Sequence, residues 1–539
     1  WCGLVRSEAN KMAVHARRNL VLVSAVVLGC GVLAAVFGQG AAATSEKSDA
    51  DMRASLRTVA QVYDIVEQNY ADKVDPDKAL YEGAIPGMLR VLDPHSDFFD
   101  PKNFARMREQ QKGKYYGIGA QIGPRNSRVV IIAPLTGSPA SKAGIRAGDI
   151  ISAIDGKNAE NLTTQQASDL LRGPKGTPVK VTILRQGSEK PLDFVIIRDE
   201  IPQYSVDVHF QIRPGIGYIH ITSFMETTDA EVGKALDEMG DLSGLIIDLR
   251  GNPGGLLTAC VGVADKFLPK GAVIVSHYGR SSPEKVYRAS HGNGGKNYPI
   301  VVLVNRLSAS ASEILSGAIQ DHDRGLIIGE DTFGKGLVQT VFPLTQNTGL
   351  ALTTAKYYTP SGRLIQREYA GVSSYEYFSG RVDNTKPDAN REVKLTDSGR
   401  TVLGGGGIAP DVRLDQPKTT HLQERLYQKY AFFDFAKYYM RDKHVTLDFQ
   451  VTEPVMQEFR KFMTDQKIPY TDAEIAQIKD WITSGIKSQM LIAEFGADAG
   501  LRASAEGDPQ VLKAIEMLPK AKQLAENAQK TIAARRHAQ

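Results

Sequence analysis

With 539 residues the chain is long enough for several domains, and 42% hydrophobic residues is the ordinary share for a globular protein that buries real cores. A formal net charge of +4 is too small to argue for a nucleic-acid partner, and no zinc-finger spacing, dinucleotide fingerprint or RNA-binding signature is present. The three cysteines, Cys2, Cys30 and Cys260, make no disulfide framework. Cys260 lies in the apolar phrase A-C-V-G-V-A and reads as a buried structural thiol.

Residues 1–11 precede Met12 and read as an upstream extension of the reading frame. From Met12 the chain offers Arg17 and Arg18, an apolar run over residues 20–37, and Ala41-Ala42-Ala43. That order of basic, apolar and small residues is an export signal. The run of 18 residues also sits at the lower edge for a membrane span, so a cleaved leader and an uncleaved anchor both remain open. On either reading the body is exported, to the periplasm or cell envelope, and the absence of another long apolar run excludes a polytopic membrane protein.

Residues 44–112 read as helices, with Leu56, Val59, Val62, Tyr63, Ile65 and Val66 at helical spacing and Ala84, Met88, Leu89 and Leu92 repeating the pattern. The phrase L-D-P-H-S closes the second run, and His95 within it reads as a turn residue. Residues 113–199 are richer in strand and turn signals. Gly117-Ile118-Gly119 follows Tyr115-Tyr116, a helix is expected over residues 167–171, and a strand over residues 179–184. In residues 200–414, strands at 216–221 and 244–248 flank a helix at about 229–239, which argues a parallel α/β unit. Residues 370–400 read as a polar surface excursion. Residues 415–539 read as a helical tail, with Leu422, Leu426, Tyr430 and Phe433 on one amphipathic helix and Val455, Phe459 and Phe462 on another. The polar end, residues 521–539, is expected to fray.

The chemistry concentrates in residues 305–343. A buried strand at 300–304 leads to S-A-S-A-S-E-I and a helix whose apolar face carries Ile314, Leu315, Ala318 and Ile319. A strand at 326–328, a glycine-rich loop and a strand at 337–342 follow. Ser310 stands at the mouth of the helix, and Lys335 lies 25 residues on, between Gly334 and Gly336. A serine hydroxyl needs a base to become a nucleophile, and a lysine is such a base once burial disfavours its ammonium form. Gln339, four residues beyond, is placed to orient the amine. Ser310-x-x-Glu313 also spells a capping box. Gly329 to Lys335 begins a phosphate-loop pattern that fails at Gly336, where Ser or Thr is required.

S-A-S-A-S-E-I followed by G-E-x-T-F-G-K-G-x-V-Q resembles the catalytic core of the carboxyl-terminal processing peptidases, or tail-specific proteases. The resemblance implies Ser310 as nucleophile, Lys335 as general base and Gln339 as its support. D-L-R-G-N-P-G-G at 248–255 is similar to the family's oxyanion segment, which implies backbone N–H groups of Gly254 or Gly255 and of Ala311 as donors. Residues 113–199 resemble a PDZ domain, and Tyr116, Gly117, Ile118 and Gly119 match the loop that receives a peptide's terminal carboxylate. K-Y-Y-T-P-S-G-R at 356–363 also matches the family, without an assigned chemistry, and Arg172 is a candidate link between the PDZ module and the core.

The expected fold is thus multi-domain α/β: a leader (1–43), a helical region (44–112), an inserted β-rich PDZ module (113–199), an α/β peptidase core (200–414) and a helical tail (415–539). The expected activity is an exported serine endopeptidase that recognises apolar C-terminal tails, without metal or cofactor. An adaptor or activator protein and a homo-oligomer are its expected partners. A catalytically silent PDZ scaffold is the alternative. A histidine-based hydrolase is a third, with His322 as its nearest candidate base and no G-x-S-x-G elbow around Ser310.

Overall fold

The computed structural model describes residues 46–125, 127–185, 187–379, 391–415 and 418–538, so the expected leader, with Cys2 and Cys30, lies outside the described residues. The chain divides into two compact units, Trp1–Ala84 and Ile85–Gln539. In the first, helix α1 (Glu46–Asn69) is followed by a π-helical turn, Lys78–Ala84. Leu56, Val59, Val62 and Ile65 do recur along α1, but all four are exposed.

The second unit opens with α2 (Ile85–Arg90), β1 (Asp97–Phe99), α3 (Pro101–Lys112) and β2 (Lys114–Gly117). Helix α3 starts where Asp100 accepts the Asn103 N–H, has proline in its first turn, and stops at Gly113 in the left-handed region. A small antiparallel barrel-like module follows. It comprises β3 (Ala120–Arg125), β4 (Arg128–Pro134), the single turn α4 (Pro139–Lys142), β5 (Ile150–Ile154), β6 (Lys157–Asn158), α5 (Thr164–Leu171), β7 (Pro178–Leu184) and β8 (Leu192–Ile197). Its sheet runs β3-β4-β5-β7-β8, with β6 on β5. Val179, Val181 and Ile183 alternate inward along β7, as a half-buried strand requires. Strand β9 (Asp199–Pro202) returns to pair with β2 and draws the module's two ends together.

The core follows the expected strand–helix order: β10 (Val206–Arg213), β11 (Ile216–Ile221), α6 (Thr228–Met239), β12 (Gly244–Asp248), α7 (Leu257–Asp265), β13 (Val273–Gly279), β14 (Ser282–Arg288), β15 (Ile300–Val304), α8 (Ala311–Asp321) and β16 (Gly325–Gly329). Then come β17 (Leu337–Pro343), β18 (Gly349–Tyr358), α9 (Ser374–Ser379), β19 (Val393–Leu395), β20 (Thr401–Leu403) and β21 (Val412–Arg413). The main sheet is ordered β10-β11-β12-β15-β16-β21 and is parallel from β11 onward. Its central strands are apolar throughout because both faces are covered; every residue of I-V-V-L-V in β15 is fully buried. A second sheet places β1, β13 and β17 around β18.

Seven helices follow: α10 (His421–Gln428), α11 (Ala431–Tyr439), α12 (Glu453–Asp465), α13 (Asp472–Gln477), α14 (Lys479–Phe495), α15 (Ala497–Glu506) and α16 (Pro509–Ala538). The structure differs from the expected pattern at three places. The single helix carrying Leu422, Leu426, Tyr430 and Phe433 is two, broken at Tyr430, whose φ is +49°. Leu422 and Leu426 enter the helical core, whereas the Tyr430 hydroxyl reaches the Pro124 carbonyl (2.8 Å) and Phe433 lies under Arg125, so both side chains face the β module. The excursion at 370–400 contains α9, with Tyr377 fully buried, and the β19–β20 hairpin. The end of the chain is one helix to Ala538, and Ala521 and Ala528 in it are buried.

Candidate active site

The segment after β15 turns sharply and is held from within. The Ser308 hydroxyl donates to the Leu249 carbonyl (2.8 Å) and accepts the Asn305 N–H (2.9 Å). Ser312 donates to the Asn252 carbonyl (3.0 Å), which also takes the Ala309 N–H (3.0 Å). These two fully buried hydroxyls fasten the turn to the 249–255 segment and are not presented to a substrate. Ser310, between them, has φ +55° and ψ −112°, a backbone conformation that a residue with a Cβ adopts only when its surroundings impose it.

Gly254 supplies much of that constraint. A Cβ there would lie 2.7 Å from the Ala309 carbonyl, 2.8 Å from Ser310 Cβ and 2.9 Å from the Ala311 nitrogen, so only glycine allows the two turns to touch. The Gly254 N–H donates to Asn252 Oδ1 (2.8 Å) inside its own turn. An Asx-type bond thus already engages one of the two glycines offered as oxyanion donors. The N–H groups of Gly255 and Ala311 have no partner among the described residues.

Glu313 ties the serine turn to the lysine loop. It is fully buried, one turn into α8. Its Oε2 accepts the N–H of Ser310 (2.8 Å) and of Lys335 (2.9 Å), while Oε1 accepts the Thr332 hydroxyl (2.5 Å) and the Gly334 N–H (2.7 Å). Burial pushes this carboxyl up, and the four donors pull against it. Tyr357 of β18 is a second tie. Its hydroxyl lies 2.5 Å from the Lys335 carbonyl and 3.1 Å from that of Ser310.

The Lys335 amine donates to Gln339 Oε1 (2.8 Å). Burial holds it below the ordinary lysine value, with Glu313 and Asp93 opposing. Lys335 precedes β17, and a bulge lies between Val338 and Gln339. The Gln339 amide is turned by a second partner, its Nε2 donating to the His95 carbonyl. Among the described residues no hydrogen bond joins the Ser310 hydroxyl to the Lys335 amine. Ser310, Lys335, Gln339, Gly255 and Ala311 are thus gathered around one shared framework.

His322 is elsewhere. It caps the far end of α8, about 16 Å along an 11-residue helix, with its ring on Asp397 and the Val273 carbonyl (2.7 Å each). Three residues at the site were missed by sequence reasoning. Glu313 was visible only as half of a capping box, Tyr357 only inside an unassigned phrase, and His95 only as a turn residue. The S-x-x-E spacing was the one local signal, and it reports the Ser310 N–H bond but not the lysine loop.

In the β module, Tyr116 and Gly117 belong to β2, paired with Glu200 and Asp199, so the glycine turn is shorter than expected. Ile118 is buried in the module's core, and the Ile118 and Gly119 N–H groups have no partner among the described residues. Both precede the edge strand β3, which leaves an unpaired rim beside α5. Arg172 ends α5, pairs with Glu109 of α3 (3.1 Å) and stacks on Tyr115 (4.2 Å).

Residues 215–374 match the profile of peptidase family S41, residues 130–185 that of a PDZ domain, and residues 35–103 that of the N-terminal domain of the activating protease CtpB. A carboxy-terminal-processing protease of Bartonella bacilliformis is 39% identical over 356 residues, 65% of this chain and 80% of that protein. The chain belongs to the carboxy-terminal processing proteases. A carboxyl-terminal-processing protease of Synechocystis sp. is 40% identical over 292 residues (53% and 68% of the two chains). The carboxy-terminal processing protease CtpB of Bacillus subtilis is 33% identical over 379 residues (68% and 78%). The serine turn, the lysine loop and Tyr357 all fall inside the peptidase match, and His95 falls inside the N-terminal one.

Proposed function

We propose that the chain is an exported serine endopeptidase that captures protein C-termini through its PDZ domain and cuts them with Ser310 and Lys335. The observation that carries this reading is the convergence of the two backbones on Glu313 and Tyr357, with the Lys335 amine held down by burial. The neutral amine takes the Ser310 proton as Oγ attacks the peptide carbonyl carbon. The oxyanion accepts hydrogen bonds from the Gly255 and Ala311 N–H groups, whose preorganisation is worth roughly 3–4 kcal/mol per donor. The Lys335 ammonium then protonates the leaving amine, and the bond to nitrogen breaks. Water, losing its proton to the same amine, hydrolyses the acyl-enzyme and returns the serine. The serine–lysine hydrogen bond forms as substrate closes the site, since catalytic contacts of a free enzyme tighten in the Michaelis complex.

The free N–H groups of Ile118 and Gly119 favour a terminal carboxylate as the PDZ ligand, with the tail adding to β3. The basic, apolar and small-residue order of residues 12–43 favours export, and envelope proteins as substrates. The test compares the wild type with Ser310→Ala on an unfolded protein ending in a free apolar tail and on the same protein amidated. The expected result is cleavage by the wild type alone, slowed by the amide. Cleavage by Ser310→Ala refutes the nucleophile. Tail binding without cleavage by either protein selects the scaffold instead.

A further inference from the structure

The phrase L-D-P-H-S comes before the PDZ module in sequence, yet it folds onto the lysine loop. Asp93 shapes it. Its Oδ1 accepts the N–H groups of His95 and Ser96 (2.8 Å each), and its Oδ2 accepts the Ser96 hydroxyl (2.7 Å). Ser96 Oγ accepts the Thr353 N–H (3.1 Å), and β1 continues the contact along β18. The turn is therefore a fixed attachment to the strand next to β17, and it presents the His95 carbonyl to Gln339.

That carbonyl can only accept, so it selects one orientation of the Gln339 amide. Nε2 faces His95, and Oε1 is left facing the Lys335 amine. A neutral amine has N–H donors and one lone pair. Held by an acceptor on one side, it must turn the lone pair elsewhere. The His95 ring is fixed in its turn. Its Nε2 lies 2.8 Å from the Tyr377 hydroxyl, and its edges and face meet Phe333, Tyr377 and Phe378 with centroids 5.4–6.3 Å apart. The Tyr377 hydroxyl accepts from Gln366 Nε2 (3.1 Å), so its own proton points to His95, and Gln366 Oε1 holds the Gly336 N–H (2.8 Å). One chain of hydrogen bonds thus runs from Gly336 through Gln366 and Tyr377 to the His95 ring, and from the His95 carbonyl to Gln339.

We propose that His95 is a positioning residue for the base: its carbonyl sets the Gln339 amide and so aims the Lys335 lone pair, while its ring, pinned by Tyr377, shields the amine from water. The inference rests on the serine–lysine reading above. Burial and the neighbouring amine hold the imidazole down at about 4, so the ring is neutral while the enzyme works. The other charged or titratable groups facing Lys335 are Glu313 from α8 and Asp93 from the turn itself. Arg367 stands behind Phe333 (4.8 Å), and Tyr377 comes from α9.

The test measures kcat, KM and the pH of half-maximal kcat for full-length His95→Ala, His95→Gln, Tyr377→Phe and Lys335→Ala on an unfolded protein with a free apolar tail. His95→Ala is expected to lower kcat at least ten-fold (~1.4 kcal/mol) with KM within two-fold, and to move the acid limb toward higher pH as water reaches the amine. Tyr377→Phe is expected to move it the same way by less. His95→Gln, which restores an acceptor near the Nε2 position, is expected to recover part of both. Unchanged kcat and acid limb in His95→Ala overturn the proposal. So does a loss of kcat with an unmoved limb and no recovery in His95→Gln, the mark of a merely structural residue. If His95→Ala does not fold, an unmoved limb in Tyr377→Phe overturns it equally. Activity in Lys335→Ala refutes the base itself, a separate failure from that of His95.

Discussion

Glu313→Gln separates a helix cap from a clamp. The carboxylate offers acceptors on both oxygens, and all four partners are donors: two backbone N–H groups on Oε2, and one N–H with one hydroxyl on Oε1. Glutamine has one acceptor end. If its oxygen faces Ser310 and Lys335, its NH2 meets the Thr332 hydroxyl, which can turn to accept, and the Gly334 N–H, which cannot. The opposite orientation sets two N–H groups against NH2, so the first is the better case. An orphaned buried N–H costs about 1–3 kcal/mol, while the charge lost from the other three bonds is offset by the lighter desolvation of a neutral amide at a site where burial already pushes the carboxyl up. That cost, about 1–3 kcal/mol, is a sizeable part of an ordinary folding stability. It falls on the bond network that sets Ser310 against Lys335, where a displacement near 1 Å costs about 100-fold in rate. A cap alone predicts ~1 kcal/mol and an unchanged kcat. Differential scanning calorimetry with single-turnover cleavage decides between them. A Glu313→Gln protein with wild-type kcat and a midpoint lowered by no more than a lost cap would refute the clamp.

Tyr357→Phe strips the hydroxyl shared by the Ser310 and Lys335 carbonyls; the expected loss is about 1–3 kcal/mol of stability, with kcat falling and KM steady in steady-state assays. Lys335→Met removes an amine that burial holds below its ordinary value. The unfolded chain binds more protons between the folded and the unfolded pKa, so wild-type stability rises with pH across that window. The Met variant is expected to be inactive, to lack that rise and to be more stable than the wild type at pH 7. A midpoint at or below the wild type's contradicts this. Gly254→Ala drives a methyl into Ala309, Ser310 and Ala311 from a residue at φ +100°; labelling of Ser310 by a fluorophosphonate is expected to be lost while tail binding by the PDZ domain persists.

The legible parts of the chain were those with local periodicity or short spacing. The strands at 216–221, 244–248 and 300–304 announced themselves as apolar runs because a doubly covered parallel sheet leaves no polar face. Ser310, Lys335 and Gln339 were singled out by a long motif, and the structure brings their segments together through Glu313 and the Lys335–Gln339 bond. What the sequence hid was long-range or depended on angle. Glu313 shows its cap partner three residues back, but its bonds to Gly334 and Lys335 cross 21 and 22 residues. His95 meets Gln339 across 244 positions and the whole PDZ module. Tyr430 breaks a helix whose apolar spacing is intact, because its side chain has a partner on another module. Which glycine of 254–255 keeps a free N–H depended on the Asn252 side chain, a rotamer that no pattern encodes.

The matched peptidase span ends at residue 374, yet the catalytic unit does not. Val208, Ile246, Val301, Leu303, Leu326 and Ile328 form the second face of the main sheet, and Ala505, Val511, Ala514, Leu518 and Ala521 cover it. Fully burying one such aliphatic side chain contributes about 1.5–3 kcal/mol, so the face as a whole outweighs an ordinary net stability. A polar tie accompanies it. Buried Asp248 holds Arg250 on the segment that leads to Gly255, and Arg250 Nη1 reaches Asp508 (2.9 Å) and Gln510 (2.7 Å) at the start of α16. Removing everything after residue 506 therefore bares an apolar sheet and strips Arg250 of two partners. The expected product is an aggregating core, read by sedimentation and by loss of Ser310 labelling. A soluble, cleaving 46–506 fragment would show the tail to be an appendage, and its contacts with the 248–255 segment to be incidental.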